Sequence, residues 1–144
     1  MKKKIIILIL VVFVSGVSYA YYLFNKKHVS VSEVKPAFTM DAHLLVSEYD
    51  SNEKTANSKY LGKVIEVQGV VAEKMKDQKG NYNVTLQGPD ISGIGCEFEP
   101  AAQNYVMQIK EGQKVTIKGV CTGVLMDVVM VDCCIIPESE KSNN

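Results

Sequence analysis

Beyond position 62 the chain leaves a three- and four-residue rhythm for alternation of apolar and polar positions, the period-two signature of half-buried strands. The first such run, 63–75, sets Ile65, Val67, Gly69 and Val71 on one face and Val64, Glu66, Gln68 and Val70 on the other. Glycine weakens a strand and marks a bend or bulge, so the sheet is expected to coil at Gly69. The polar stretch 76–81 is a turn, with Gly80 and Asn81 tolerating positive φ. Run 82–87 points Tyr82, Val84 and Leu86 inward. After Gly88-Pro89-Asp90, run 91–98 points Ile94, Cys96 and Phe98 inward. The stretch KVTIKGVCTGVLMDVVMVDCCII, 114–136, is two β-branched strands about a turn near Leu125 and Met126. In its first half, 114–121, Val115, Ile117, Gly119 and Cys121 face in and Lys118 faces out. In its second, 128–136, Asp132 sets the parity and places Val129, Val131, Cys133 and Ile135 inside.

Between positions 39 and 62 the rhythm is helical. Thr39 is a candidate cap, Asp41 falls in the first turn, and Leu45, Tyr49, Ala56 and Tyr60 form one thin apolar face before Gly62 stops the helix. A short helix over 100–109 packs Ala101, Ala102, Tyr105, Val106 and Ile109. Three strands, a connecting helix and two more strands is the order of a mainly β, five-stranded OB-type Greek-key barrel with an added N-terminal helix. The domain is expected over 39–137, after a linker at 28–38 and before a tail at 138–144.

Ahead of the domain, residues 5–24 run without a charge between Met1-Lys-Lys-Lys and Asn25-Lys26-Lys27. Twenty apolar residues in helix reach roughly 30 Å, the thickness of a bilayer's hydrocarbon core. Two readings of 1–27 stay open. One is a single transmembrane helix anchoring the domain on the non-cytoplasmic side of the cytoplasmic membrane. The other is a signal peptide cleaved after Ser18-Tyr19-Ala20, which releases the domain. No cysteine precedes Cys96, so no lipid attachment site follows the leader.

Charge changes the picture further. The chain is neutral overall, but five of its sixteen lysines flank the leader and every acid lies beyond it. From His28 onward eleven lysines face sixteen acids, a net charge of −5, and no arginine occurs anywhere. Without the guanidinium fork the domain lacks the residue best suited to phosphate.

The segments LLVSEYDSNEKTANSKYLGKVIEVQGVV, ISGIGCEF and GQKVTIKGVCTGVLMDVVMVDCCI resemble a bacterial OB-fold family named tRNA-anticodon-binding-like, which includes OB-fold lipoproteins. The resemblance spans residues 42–136, and its most specific portion is GQ-x-V-x-I-x-G-x-C-x-G-x3-DV-x-M-x-DC. It implies an OB barrel and, by the family name, nucleic-acid binding; fold alone does not license that function.

OB domains that hold single strands use a basic groove with aromatic stacking platforms. Here the outward face of the second and third strands carries Asn83, Thr85, Gln87, Gly95 and Glu97, with neither an aromatic nor a cation. The nearest lysines, Lys74, Lys76 and Lys79, belong to the first turn and are interspersed with Glu73 and Asp77. These groove and turn residues are the binding candidates. They favour a protein or envelope ligand, with single-stranded nucleic acid or oligosaccharide as the alternative. Cys96, Cys121 and Cys133 share inward parity while Cys134 points out, so an exported domain is expected to form one bridge. With the hairpin centred at Leu125-Met126, Cys121 opposes Met130, leaving Cys96–Cys133 as the preferred pair. No cofactor or metal is expected: Cys-x-x-Cys is absent, and the two histidines, His28 and His43, lie outside the barrel. With no histidine placed near a cysteine, no catalytic constellation is expected.

Overall fold

The alternating runs pair into a single sheet that closes on itself. The computed structural model describes residues 14–18 and 30–137. Its strands are β1 (Phe38–Asp41), β2 (Val64–Lys76), β3 (Tyr82–Gln87), β4 (Gly93–Phe98), β5 (Lys114–Val124) and β6 (Val128–Ile135). They lie in the order β1-β2-β3-β4-β6-β5, and β2 pairs again with β5 to close a five-stranded barrel. Helices α1 (Ala42–Ser51) and α2 (Glu53–Tyr60) precede the barrel, and α3 (Gln103–Gln108) joins β4 to β5 after a 3₁₀ turn at Pro100–Ala102. The barrel and its connecting helix match the order expected from the sequence.

Three departures near the N-terminus have local causes. Thr39 does not cap a helix but lies in β1, which runs parallel to β2 with Thr39 opposite Glu66. The cap is Asp41, whose carboxylate accepts from the His43 backbone N–H at 2.9 Å. The expected single helix is two, because Asn52 at φ −163° ends α1 while its side chain accepts from Thr55 N–H and starts α2. Gly62, at φ 72°, follows as the stop.

The stretch expected to be a bare linker, 28–38, also does more. Val31 is buried, and the segment 30–34 lies over β5, where the Lys118 ammonium donates to the carbonyls of Ser32 (2.7 Å) and Val34 (3.1 Å). Lys118 was expected to face solvent and is instead buried under this strap. Of the expected 5–24 span, residues 14–18 are helical and the rest lies outside the described residues, as does the tail at 138–144. Among the described residues no helix is long and apolar enough to cross a membrane.

Leu45, Val46 and Tyr49 of α1, with Ala56 and Tyr60 of α2, cover the barrel core of Ile65, Val67, Leu86, Ile94, Ile117 and Met130. Gly69 belongs here for close approach: a Cβ on it would come within 2.8 Å of the Ala42 Cβ at the start of α1. The Tyr49 hydroxyl meets the Cys121 thiol at 3.2 Å, tying α1 to β5, and burial pushes its pKa well above the usual tyrosine range. Glu48 accepts from Lys59 (2.8 Å) and the Tyr60 hydroxyl (2.9 Å), joining α1 to α2 and holding the carboxyl below its ordinary range. The whole core cluster lies between Ala42 and Cys133, so a piece beginning at Val29 carries the closed barrel and can fold on its own.

Bulges decide which residues face in. On β2 the partners pass from Val71↔Leu86 to Glu73↔Thr85, leaving Ala72 as the extra residue, so the bulge falls three residues beyond Gly69. On β6 they pass from Val120↔Val131 to Lys118↔Cys134, leaving an extra residue at Asp132, whose φ is 53°. The expected parity of β6 is thereby corrected. Val128 and Met130 are buried before the bulge and Cys133 after it, while Val129, Val131 and Ile135 are only partly buried.

Candidate ligand-binding face

Strands β2, β3 and β4 present one outer face, and the Ala72 bulge decides what it carries. Beyond the bulge Glu73 and Met75 pair with Thr85 and Asn83 and share the outer face with them. Lys74 and Lys76 pair with Val84 and Tyr82 and so point to the other side. The candidate residues from the sequence therefore fall into two groups. Asn83, Thr85, Gln87 and Glu97 lie on the face, joined through the pairings Asn83↔Glu97 and Thr85↔Gly95. Lys74 and Lys76 lie off it.

The lysines have structural work to do. The Lys74 ammonium donates to the carbonyls of Met107 (3.1 Å) and Ile109 (2.7 Å), satisfying the open C-terminal end of α3. It also sits 5.5 Å from the centre of the Tyr82 ring, and Lys76 sits 5.3 Å from the same ring. Tyr82 is thus a half-buried platform already taken by the chain's own cations. Gln103 pins it further, its side chain accepting from Tyr82 N–H (2.6 Å) and donating to Tyr82 O (3.3 Å). Lys79 occupies the β2–β3 turn, where the Asp77 carboxylate accepts from the backbone N–H groups of Lys79 and Asn81, each at 2.8 Å. These hydrogen bonds, that from Asn81 N–H foremost, hold the Asp77 carboxyl below its ordinary range.

The concave part of the face is a cleft of about 440 Å³ between Val70 and Ala72 of β2, Thr85 and Gln87 of β3, and the β3–β4 loop with Asp90 and Ile91. Asp90 is the one charged residue in its lining. The loop is drawn tight at its neck, since a Cβ on Gly88 would run into the Ser92 carbonyl and one on Gly93 would meet Leu86 O at 2.6 Å. Asp127 fixes the neighbouring β5–β6 turn by accepting from Gly93 N–H at 2.7 Å. This latch brings Ile91, Leu125 and Met126, all but fully exposed, to one end of the barrel. Ile91 was expected to begin a strand; β4 starts instead at Gly93. The sequence analysis missed Val70, Ala72 and Ile91 as wall residues, and the signal available for Ile91 was its place directly after Gly88-Pro89-Asp90.

None of the four cysteines forms a disulfide. The predicted opposition of Cys121 and Met130 is present in the register. Cys133 neighbours Cys96, whose thiol and above all burial push the Cys133 pKa up. The fold therefore brings together the two residues favoured for a bridge, and here they carry no bond. Among the described residues no group of three or more histidine, cysteine, aspartate or glutamate side chains could hold a metal ion.

Comparison with known proteins agrees with this architecture. The tRNA_anti-like family model matches residues 1–135. A crystal structure of a lipoprotein from Klebsiella pneumoniae, named as a proposed nucleic acid-binding protein, superposes with a TM-score of 0.56 at 19% sequence identity, covering 68% of this chain and 91% of that one. At that identity the likeness speaks for the fold. No curated protein matches the chain.

Proposed function

Because the chain belongs to the tRNA_anti-like family of OB-fold domains, we propose that it is a non-catalytic binding module whose outer β2–β3–β4 face takes a protein or envelope ligand rather than nucleic acid. One observation carries this reading: the bulge at Ala72 turns Lys74 and Lys76 away from the face and leaves Glu73 on it beside Asn83, Thr85, Gln87 and Glu97. Phosphate contacts dominate nucleic-acid affinity, and a face with two glutamates repels the backbone it would have to hold. Its amides and hydroxyl, with the apolar Val70, Ala72 and Ile91 beside them, suit an uncharged or cationic partner.

The test is a titration of labelled single-stranded DNA and RNA with the piece from Val29, read by fluorescence anisotropy. At physiological salt the expected affinity is no tighter than about millimolar. Replacing both glutamates, Glu73→Lys and Glu97→Lys, should then create salt-dependent binding where there was none. A micromolar, salt-dependent affinity of the unaltered domain overturns the reading.

Attachment to the membrane through residues 5–24, with the domain outside, is part of the same proposal. Its support is the uncharged length of the run and the excess of positive charge before it, three lysines and the amino terminus against Lys26 and Lys27. Protease added to intact spheroplasts should digest the domain; full protection until lysis would place it inside and sink this part.

A further inference from the structure

We propose that the cavity under the N-terminal strap is a second binding site, separate from the outer face, for a small amphipathic amine: an apolar body carrying a protonated head. The cavity measures about 530 Å³ and lies among three pieces, the strap (lining residues Ser30, Ser32 and Glu33), the turn into α3, and the end of β6. That volume falls within the roughly 300–1,000 Å³ of small-molecule sites. Both the strap and the end of β6 are anchored. Val31 is buried, Lys118 holds the strap by two carbonyls, and Ile136 N–H donates to Thr116 O at 2.9 Å. The site is therefore formed before any ligand arrives.

The chemistry of the wall selects the ligand. Ala101, Ala102, Ile135, Ile136 and Pro137 supply apolar surface for a short alkyl or aromatic body. Glu33 from the strap and Glu99 from the turn before α3 are the only charged lining residues, and they carry the same sign. Two carboxylates attract an ammonium and repel an anion of the same size. Tyr105 was expected to pack inward with α3, yet it is 68% exposed at this cavity, where its ring is available to a cation. Lys118 does not line the cavity, and its ammonium is engaged by Ser32 O and Val34 O, so it does not neutralise the glutamates as an ion-pair partner. A bare metal ion is a poor fit, because no three metal-ligating side chains converge among the described residues. An organic cation satisfies both halves of the wall at once.

The experiment uses three probes of equal chain length, octylamine, octanol and octyl sulfate. Each is titrated at neutral pH into the piece from Val29, and binding is followed by calorimetry and by tyrosine fluorescence. Octylamine should bind saturably, about ten-fold or more tighter than octanol, and octyl sulfate should not bind. Replacing both glutamates, Glu33→Gln and Glu99→Gln, should erase the preference for amine over alcohol. Filling the cavity by Ala101→Phe should weaken both probes, while Thr85→Ala on the outer face should leave them unchanged, with circular dichroism confirming the fold of each variant. Equal binding of amine and alcohol to the unaltered domain, amine binding that survives both cavity variants, or no saturation by octylamine at about 10 mM would each overturn the proposal.

Discussion

Replacing Gly119 with alanine will destabilise the barrel by about 2 kcal/mol, through overpacking rather than loss of a contact. Gly119 lies in β5 against the core side of β6. A Cβ added there would come 2.5 Å from the Cys133 Sγ, 3.1 Å from Val131 O and 3.2 Å from the Met130 methyl carbon. Cys133 and Met130 are both wholly buried, so neither can step aside without disturbing other packed side chains. Urea denaturation of the piece from Val29 measures the loss. Trimming the opposing thiol, Cys133→Ala, removes the atom in closest conflict, so the double variant should be more stable than the two single losses added together predict, by about 1 kcal/mol. An alanine variant within about 0.5 kcal/mol of the parent, or strict additivity, would show that the pair is not in conflict.

Asp132→Val should cost about 1–3 kcal/mol, while Asp132→Gly should leave stability equal or slightly raised. Asp132 is the one described non-glycine residue at positive φ, 53°, a conformation that aspartate tolerates and a β-branched side chain resists. The same residue is the bulge that lets Met130 and Cys133, three positions apart, both point into the core. Valine favours regular extended backbone, which would return β6 to plain alternation and carry Cys133 off the core. Thermal or urea melts of the two variants decide the point. If valine is accepted as well as glycine, the backbone there is not under the constraint described.

What the sequence by itself determined was the set and order of barrel elements. Alternation at period two is a local property, set by whether each side chain meets water or core, and it located β2 to β6 and the connecting helix to within a few residues. The turn at Gly80-Asn81, the stop at Gly62, and the opposition of Cys121 to Met130 were legible for the same reason, since short turns fix register. Asn83, Thr85, Gln87 and Glu97 were correctly grouped because β3 and β4 run without a bulge between them. Only the tertiary structure decided the rest. A bulge adds one residue to one strand and inverts every side chain beyond it, and nothing in Val71-Ala72-Glu73 or Val131-Asp132-Cys133 announces which residue will be extra. That single uncertainty moved Lys74 and Lys76 off the ligand face and turned Met130 into the core. Lys118 was misplaced for a related reason. Its burial depends on a strap nearly ninety positions earlier in the chain, whose carbonyls offer the ammonium what water would otherwise supply.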